Sequence, residues 1–235
     1  MRPLSLSLLL LAACHAAPLA PRDRLTGAGP EHELVWIPAG PGVPEPFWLG
    51  RCEVTQEQFA AFVQATGYDG GEAPSSKPGE PFLGDWRDGR PPAGRERHPA
   101  AQLNWFHATA YCRWLAERTG RPVRLPRDAE WSWAAMGAGG RRYPWGDDWD
   151  ARRCNSIGDA DGFPGSAPVG SFPAGDTPEG VADLAGNIWE WTVERHLRGG
   201  PWCMSEERLR SDAIAQEDAM RADDKFGLRI VVEVR

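Results

Sequence analysis

The amino-acid sequence predicts a chain rich in loops and turns, with short strands and three helices, and not a helical bundle. Glycine (27) and proline (22) are abundant, so turns and loops should be frequent. Tryptophan (12) far outnumbers tyrosine (3), which fits indoles packed beneath those loops. Short apolar strand-like runs stand near both ends of the chain and helical periodicity stands between them, which argues against a helical bundle.

Taken in order, Glu33 to Pro38 reads as a strand stopped by Pro-Ala-Gly, and Phe47 to Leu49 with Glu53-Val54 as a second strand segment. Thr55 then caps a helix, with Gln58 placed to complete a capping box and Gly67 to end it. Phe59, Phe62 and Val63 share one face of that helix. Residues 69–99 form a long polar stretch rich in Gly and Pro, expected to be an ordered loop capping the domain. A second helix is expected over 106–118, stopped by Gly120, and a third over 128–136. Tyr143-Pro144-Trp145-Gly146 is turn chemistry. Strands over about 197–203 and 226–234 would close a small sheet.

The 235 residues fit one large domain or two small ones, and 41% hydrophobic content is enough for a sizeable core. A formal charge of −7 argues against a nucleic-acid partner, which would favour a basic face. The N-terminus has a logic of its own. Arg2 is followed by the apolar run Leu4 to Leu11 and then by Leu11-Ala12-Ala13-Cys14. That run is too short to cross a bilayer and has the form of a signal peptide. Cys14 after small residues is similar to a bacterial lipobox, in which the thiol receives a diacylglycerol. An ordinary signal peptide cut after Ala16 or Ala17 is the alternative. The expected organisation is a lipoprotein signal peptide over 1–13, a flexible tether over 14–31 and a globular domain over 32–235. Its place would be a bacterial membrane, on the periplasmic or cell-surface side, anchored through Cys14. Cys52, Cys112, Cys154 and Cys203 remain, and in an oxidising compartment they allow three complete disulfide connectivities.

Eight segments in order, LVWIPAG, EVTQEQFAAFVQATGY, LNWFHATAYCRWLAERTGRPVRLPRDAEWSWAA, YPWGDDW, DGFPGSAPVGSFP, DLAGNIWEWT, RGG and FGLRIV, resemble the formylglycine-generating-enzyme (sulfatase-modifying factor) family. The resemblance runs from about residue 34 to 232. It implies a single α+β domain of the formylglycine-generating-enzyme fold, related to the C-type-lectin fold, with loops ordered by bound calcium. Calcium takes six to eight oxygens from carboxylates, amides and carbonyls. The resemblance assigns one set to Asp183 and Glu190 with the carbonyls of Gly186 and Ile188. It assigns another to the Asn155 and Asp161 side chains with the carbonyls of Ser156 and Phe163. Asp183 departs from the family's usual Asn, and the connection within the second set is shorter than is usual. Asx turns and caps are the alternative reading of both.

Formylglycine generators oxidise a substrate cysteine with oxygen, using copper held by two thiolates that follow a Gly-Gly-Ser motif. Aligned from Gly199-Gly200, Met204 stands at the first cysteine position and Leu209 at the second, and Pro201 replaces the serine. Cys203 falls one residue early, and no cysteine follows it. Copper is therefore not expected, and no catalytic residue is assigned. A mixed site at Cys203 and Met204 is the exception, against a buried methionine and a structural cysteine as the ordinary reading. Trp105 and Trp202 are expected to approach a pocket with Cys203 and Met204. The favoured function is a membrane-anchored exported protein that binds or helps mature an exported protein or peptide. The alternatives are a divergent copper oxidase and a calcium-dependent lectin-like module.

Overall fold

A computed structural model describes residues 21–71, 73–74, 82–158 and 162–234 of the chain. In chain order these form β1 (Arg22–Leu25), β2 (His32–Ile37), β3 (Phe47–Gly50), α1 (Gln56–Thr66), α2 (Trp105–Thr119), β4 (Val123–Arg124) and α3 (Asp128–Met136). Then follow β5 (Trp189–Trp191), β6 (His196–Arg198), β7 (Ala215–Gln216), β8 (Phe226–Gly227) and β9 (Val231–Glu233).

The helices begin where their caps dictate. Thr55 Oγ1 accepts from the Gln58 amide while Gln58 Oε1 accepts from the Thr55 amide at 2.8 Å, and Gly67 closes α1 at φ 66°. Asn104 and His107 make the same reciprocal pair at the start of α2, which Gly120 ends at φ 66°. All three helices fall within a residue of their expected limits.

The sheets could be read only in part. An antiparallel five-stranded sheet has the order β1-β2-β3-β9-β4, and a second sheet has the order β7-β6-β5-β8 with β5 and β8 parallel. Alternation along β2 sorts the core. Leu34 joins a cluster with Phe59, Tyr111 and Leu115 under α1 and α2, while Val35 and Ile37 join Phe47, Leu49 and Trp131 under α3. The expected strand over 226–234 is broken between the two sheets, because Leu228 to Ile230 carry the chain from β8 across to β9. The strand over 197–203 stops at Arg198, where Gly199 and Gly200 turn the chain at φ 91° and 78°.

The domain also begins earlier than expected. Arg22 to Leu25, assigned to the tether, pair with Val35 to His32 of β2, and Arg121 holds Asp23 at 2.7 Å. Leu25 is buried in the first core, which gives this polar strand its apolar hold. The signal segment and Cys14 lie outside the described residues. No described helix is long and apolar enough to cross a membrane.

Candidate functional site

Three loops that the sequence singled out separately are one hydrogen-bonded unit. The amide of Gly186 donates to Gly199 O, that of Asn187 to Asn155 O, that of Trp202 to Asn187 O and that of Ile157 to Met204 O. The 183–187 loop presses so closely on 155 that a Cβ at Gly186 would lie 2.0 Å from Asn155 O. Asp183 (φ 58°) and Asn187 (φ 67°) bracket that loop in the left-handed region, a cost of roughly 1–3 kcal/mol each in non-glycine residues.

Glu190, on β5, sits wholly buried against an equally buried Arg229. Arg229 Nε donates to both carboxylate oxygens at 3.2 and 3.0 Å and Nη2 to Oε1 at 2.7 Å, while Trp131 Nε1 donates to Oε2 at 2.8 Å. The rest of the guanidinium is satisfied by the carbonyls of Gly50, Arg51 and Ala182. Burial opposes the charge on Arg229, yet Glu190 outweighs it and holds the guanidinium well above its ordinary pKa. The sequence suggested Glu190 as a calcium ligand; the structure commits its oxygens to Arg229 and Trp131.

Asp183 behaves differently. Its Oδ2 accepts from the Gly170 amide at 2.6 Å, and its side chain meets that of Glu53. Glu53 is 2% exposed; its Oε1 accepts from Asn187 Nδ2 at 3.0 Å, and no N–H or hydroxyl donates to its Oε2, the two carboxyl groups meeting each other instead. Desolvation and the Asp183 charge push the Glu53 carboxyl well above the usual carboxylate range. Desolvation also raises Asp183, against the pull of the Gly170 N–H. Asn155 Nδ2 donates to Asn187 Oδ1 at 3.1 Å, and Asn155 Oδ1 is a buried atom without a partner. Oxygens left over in this way are chemistry that a hard cation fits. Among the described residues no three His, Cys, Asp or Glu side chains converge as a metal group, so amide and carbonyl oxygens would have to complete such a site. Ser156 is buried beside Asn155, the Phe163 ring packs edge-on to Phe172, and Asp161 lies outside the described residues.

The segment that aligns with the family's copper cysteines holds an apolar cluster. Leu209 is fully buried with Cys154 and Ala185, and Met204, Trp145 and Trp149 pack around them. A Cβ at Gly200 would lie 2.4 Å from Leu209 Cδ2, so the leucine fills its place against the glycine turn. Cys203 is half-buried, and burial pushes its thiol up against a smaller opposing pull from Lys225. None of Cys52, Cys112, Cys154 and Cys203 forms a disulfide. One thioether and one leucine at the two positions do not supply the thiolates of a copper dithiolate.

Trp105 and Trp202 do not share a pocket. Trp105 Nε1 donates to Thr192 O at 2.9 Å, with the Arg195 guanidinium 4.9 Å over its ring, and it lines a cleft with Tyr68, Phe106 and Arg113. Trp202 lines another with Gln56, Trp86, Arg95, Gln102 and Ser166. There Arg95 donates to Ser166 Oγ at 3.0 Å, and no carboxylate is paired with it among the described residues. Glu53, Asn187, Arg229 and Trp86 were not foreseen as site residues. Glu53 and Arg229 did carry a signal, each being a charge beside apolar residues that adjoin a strand.

The chain matches the family model described as sulfatase-modifying factor enzyme 1-like domain over residues 26–234. It is 35% identical to a formylglycine-generating enzyme of Streptomyces coelicolor, over 77% of this chain and 76% of that one. It is 38% identical to the inactive C-alpha-formylglycine-generating enzyme 2 of Bos taurus over 48% of this chain and 44% of the relative. PvdO from Pseudomonas aeruginosa shares the fold, with a TM-score of 0.66 at 23% identity and 92% of each chain covered.

Proposed function

The chain belongs to the sulfatase-modifying factor enzyme 1-like family, and from that premise we propose that it is a non-oxidising member, exported and lipid-anchored, that binds or helps mature an exported partner. One observation carries the reading. The two positions where the family resemblance puts copper thiolates hold Met204 and Leu209, and Leu209 is closed inside the cluster with Cys154 and Ala185. A dithiolate needs two sulfur anions with room for a metal between them; a leucine packed against Gly200 leaves neither.

Binding has a place to occur. The cleft beside Trp202 combines two indole walls, Trp86 and Trp202, with the donors of Arg95 and Gln102 and the hydroxyl of Ser166. Indoles stack on apolar or planar groups while the polar atoms fix orientation, which suits an extended polypeptide segment. Lipid on Cys14 would hold the domain at the bacterial membrane where such a partner is exposed.

Incubating the mature protein with a cysteine peptide, Cu(I) and oxygen, and reading the peptide by mass spectrometry, tests the chemistry. The peptide should remain unconverted and Cu(I) should not bind stoichiometrically. Formylglycine in the peptide above a protein-free control would overturn the reading in favour of a divergent oxidase. Mass spectrometry of the N-terminus from bacterial membranes should find a diacylglyceryl group on Cys14, and an unmodified N-terminus following Ala16 or Ala17 would remove the anchor.

A further inference from the structure

Two arginines of this chain are held in opposite ways. Arg229 commits all five of its N–H groups, two to Glu190 and three to backbone carbonyls. Arg95, half-buried in the cleft beside Trp202, gives one Nη2–H to Ser166 Oγ at 3.0 Å. Among the described residues its other four N–H groups meet no acceptor, and no carboxylate pairs with it.

The guanidinium is nonetheless held in place. Its turn is closed by the Arg95 amide donating to Pro92 O and the His98 amide to Arg95 O, both at 3.0 Å. That turn is tied to the start of α1, where the amides of Gln56 and Glu57 donate to His98 O and Glu96 O. Ser166 Oγ, which accepts from Arg95, lies 3.4 Å from His98 Nδ1. Burial and the Arg95 charge lower the pKa of His98, so a neutral ring can accept from the Ser166 hydroxyl. Gln102 lines the same cleft at φ 60°, a conformation that non-glycine residues keep only where the surroundings impose it.

We propose that Arg95 receives a carboxylate of the polypeptide partner, from an acidic side chain or a C-terminus, in the cleft lined by Trp86 and Trp202. The inference rests on the polypeptide-binding reading above and names what that site selects. A guanidinium fork presents parallel N–H groups that match the two oxygens of a carboxylate. Half-burial strengthens such a pair, because water screens it less than at an open surface. Asp85 and Asp224 also line the cleft, yet neither pairs with Arg95; Lys225 holds Asp224, and Asp85 is exposed. Arg95 is the cation among the described residues that line the cleft, so an incoming carboxylate is drawn to it and repelled elsewhere.

The mature protein, immobilised, is exposed to two random libraries of N-acetylated hexapeptides, one amidated at the C-terminus and one with a free acid. Captured peptides are sequenced by mass spectrometry. The chain has a net charge of −7, so non-specific attraction would enrich lysine and arginine. Wild-type protein should instead enrich aspartate or glutamate from the amidated library if a side chain is received. It should favour the free-acid library if a C-terminus is. A captured peptide and its counterpart with that carboxylate made an amide should differ in affinity by about tenfold or more. In Arg95→Gln the ratio should fall to near one, and in Arg95→Lys, which keeps the charge and loses the fork, it should shrink but persist. Capture without acidic preference, or a ratio unchanged in either variant, would overturn the carboxylate site and leave polypeptide binding standing. Capture of no peptide would overturn this inference together with the reading on which it rests.

Discussion

Glu190 and the Glu53–Asp183 pair are buried acids that meet around one arginine, and the protein treats them in opposite ways. Glu190 is matched from within by a guanidinium and an indole N–H, so its charge has become structure. Glu53 and Asp183 share two amide donors, from Asn187 and Gly170, and otherwise meet each other. A charge paired and hydrogen-bonded from within recovers much of its desolvation cost, whereas acids without a cation are driven toward their neutral form. The difference lies in the partners, since all three are carboxyl groups lodged in the same interior.

Removing Arg229 should break this contrast most severely. Arg229→Met would leave Glu190 buried and unpaired, and denaturant unfolding should show a loss of about 3–5 kcal/mol. A loss below about 1 kcal/mol would mean that Glu190 finds another partner or water. Trp131→Phe removes one charge-assisted donor from Glu190 and keeps most of the ring, so a smaller loss of about 1–3 kcal/mol is expected in the same assay.

His32 sharpens the comparison with a buried group whose charge the fold avoids altogether. It lies against the Tyr111 hydroxyl at 2.9 Å, and burial lowers its pKa to about 3. A lowered pKa means the unfolded chain takes up the proton first. Stability is therefore whole above the unfolded value near 6.5 and falls as pH drops from there toward 3. The slope should approach about 1.4 kcal/mol per pH unit from this residue. His32→Gln should flatten the unfolding free energy between pH 6 and 4 relative to wild type. Unchanged slopes would show that His32 does not carry the dependence.

The helices were legible because their signals are local. Thr55, Gln58 and Gly67 write both ends of α1 within thirteen residues. Much of the sheet was not, because β4 has two residues and β5 three; β4 pairs only with distant β9, and β5 takes β8, also far along the chain, on one side. The same distance hid the charges. Glu190 stands in a motif that reads as a ligand loop, but what it binds, Arg229, is 39 residues away. Glu53 looked like part of a strand, and its meeting with Asp183 depends on the chain folding back across 130 positions. The dismantled copper position, by contrast, was visible in the residue types of Met204 and Leu209; the structure added that the space had been filled with Cys154, Ala185 and two indoles.

β1 has a consequence of scale. Its pairing with β2 fixes the chain from Arg22 onward. With the lipid on Cys14 as proposed, seven residues separate the anchored cysteine from the first strand, a reach of at most about 29 Å fully extended. The domain would then ride moored close to the bilayer and would meet only partners that come to the membrane.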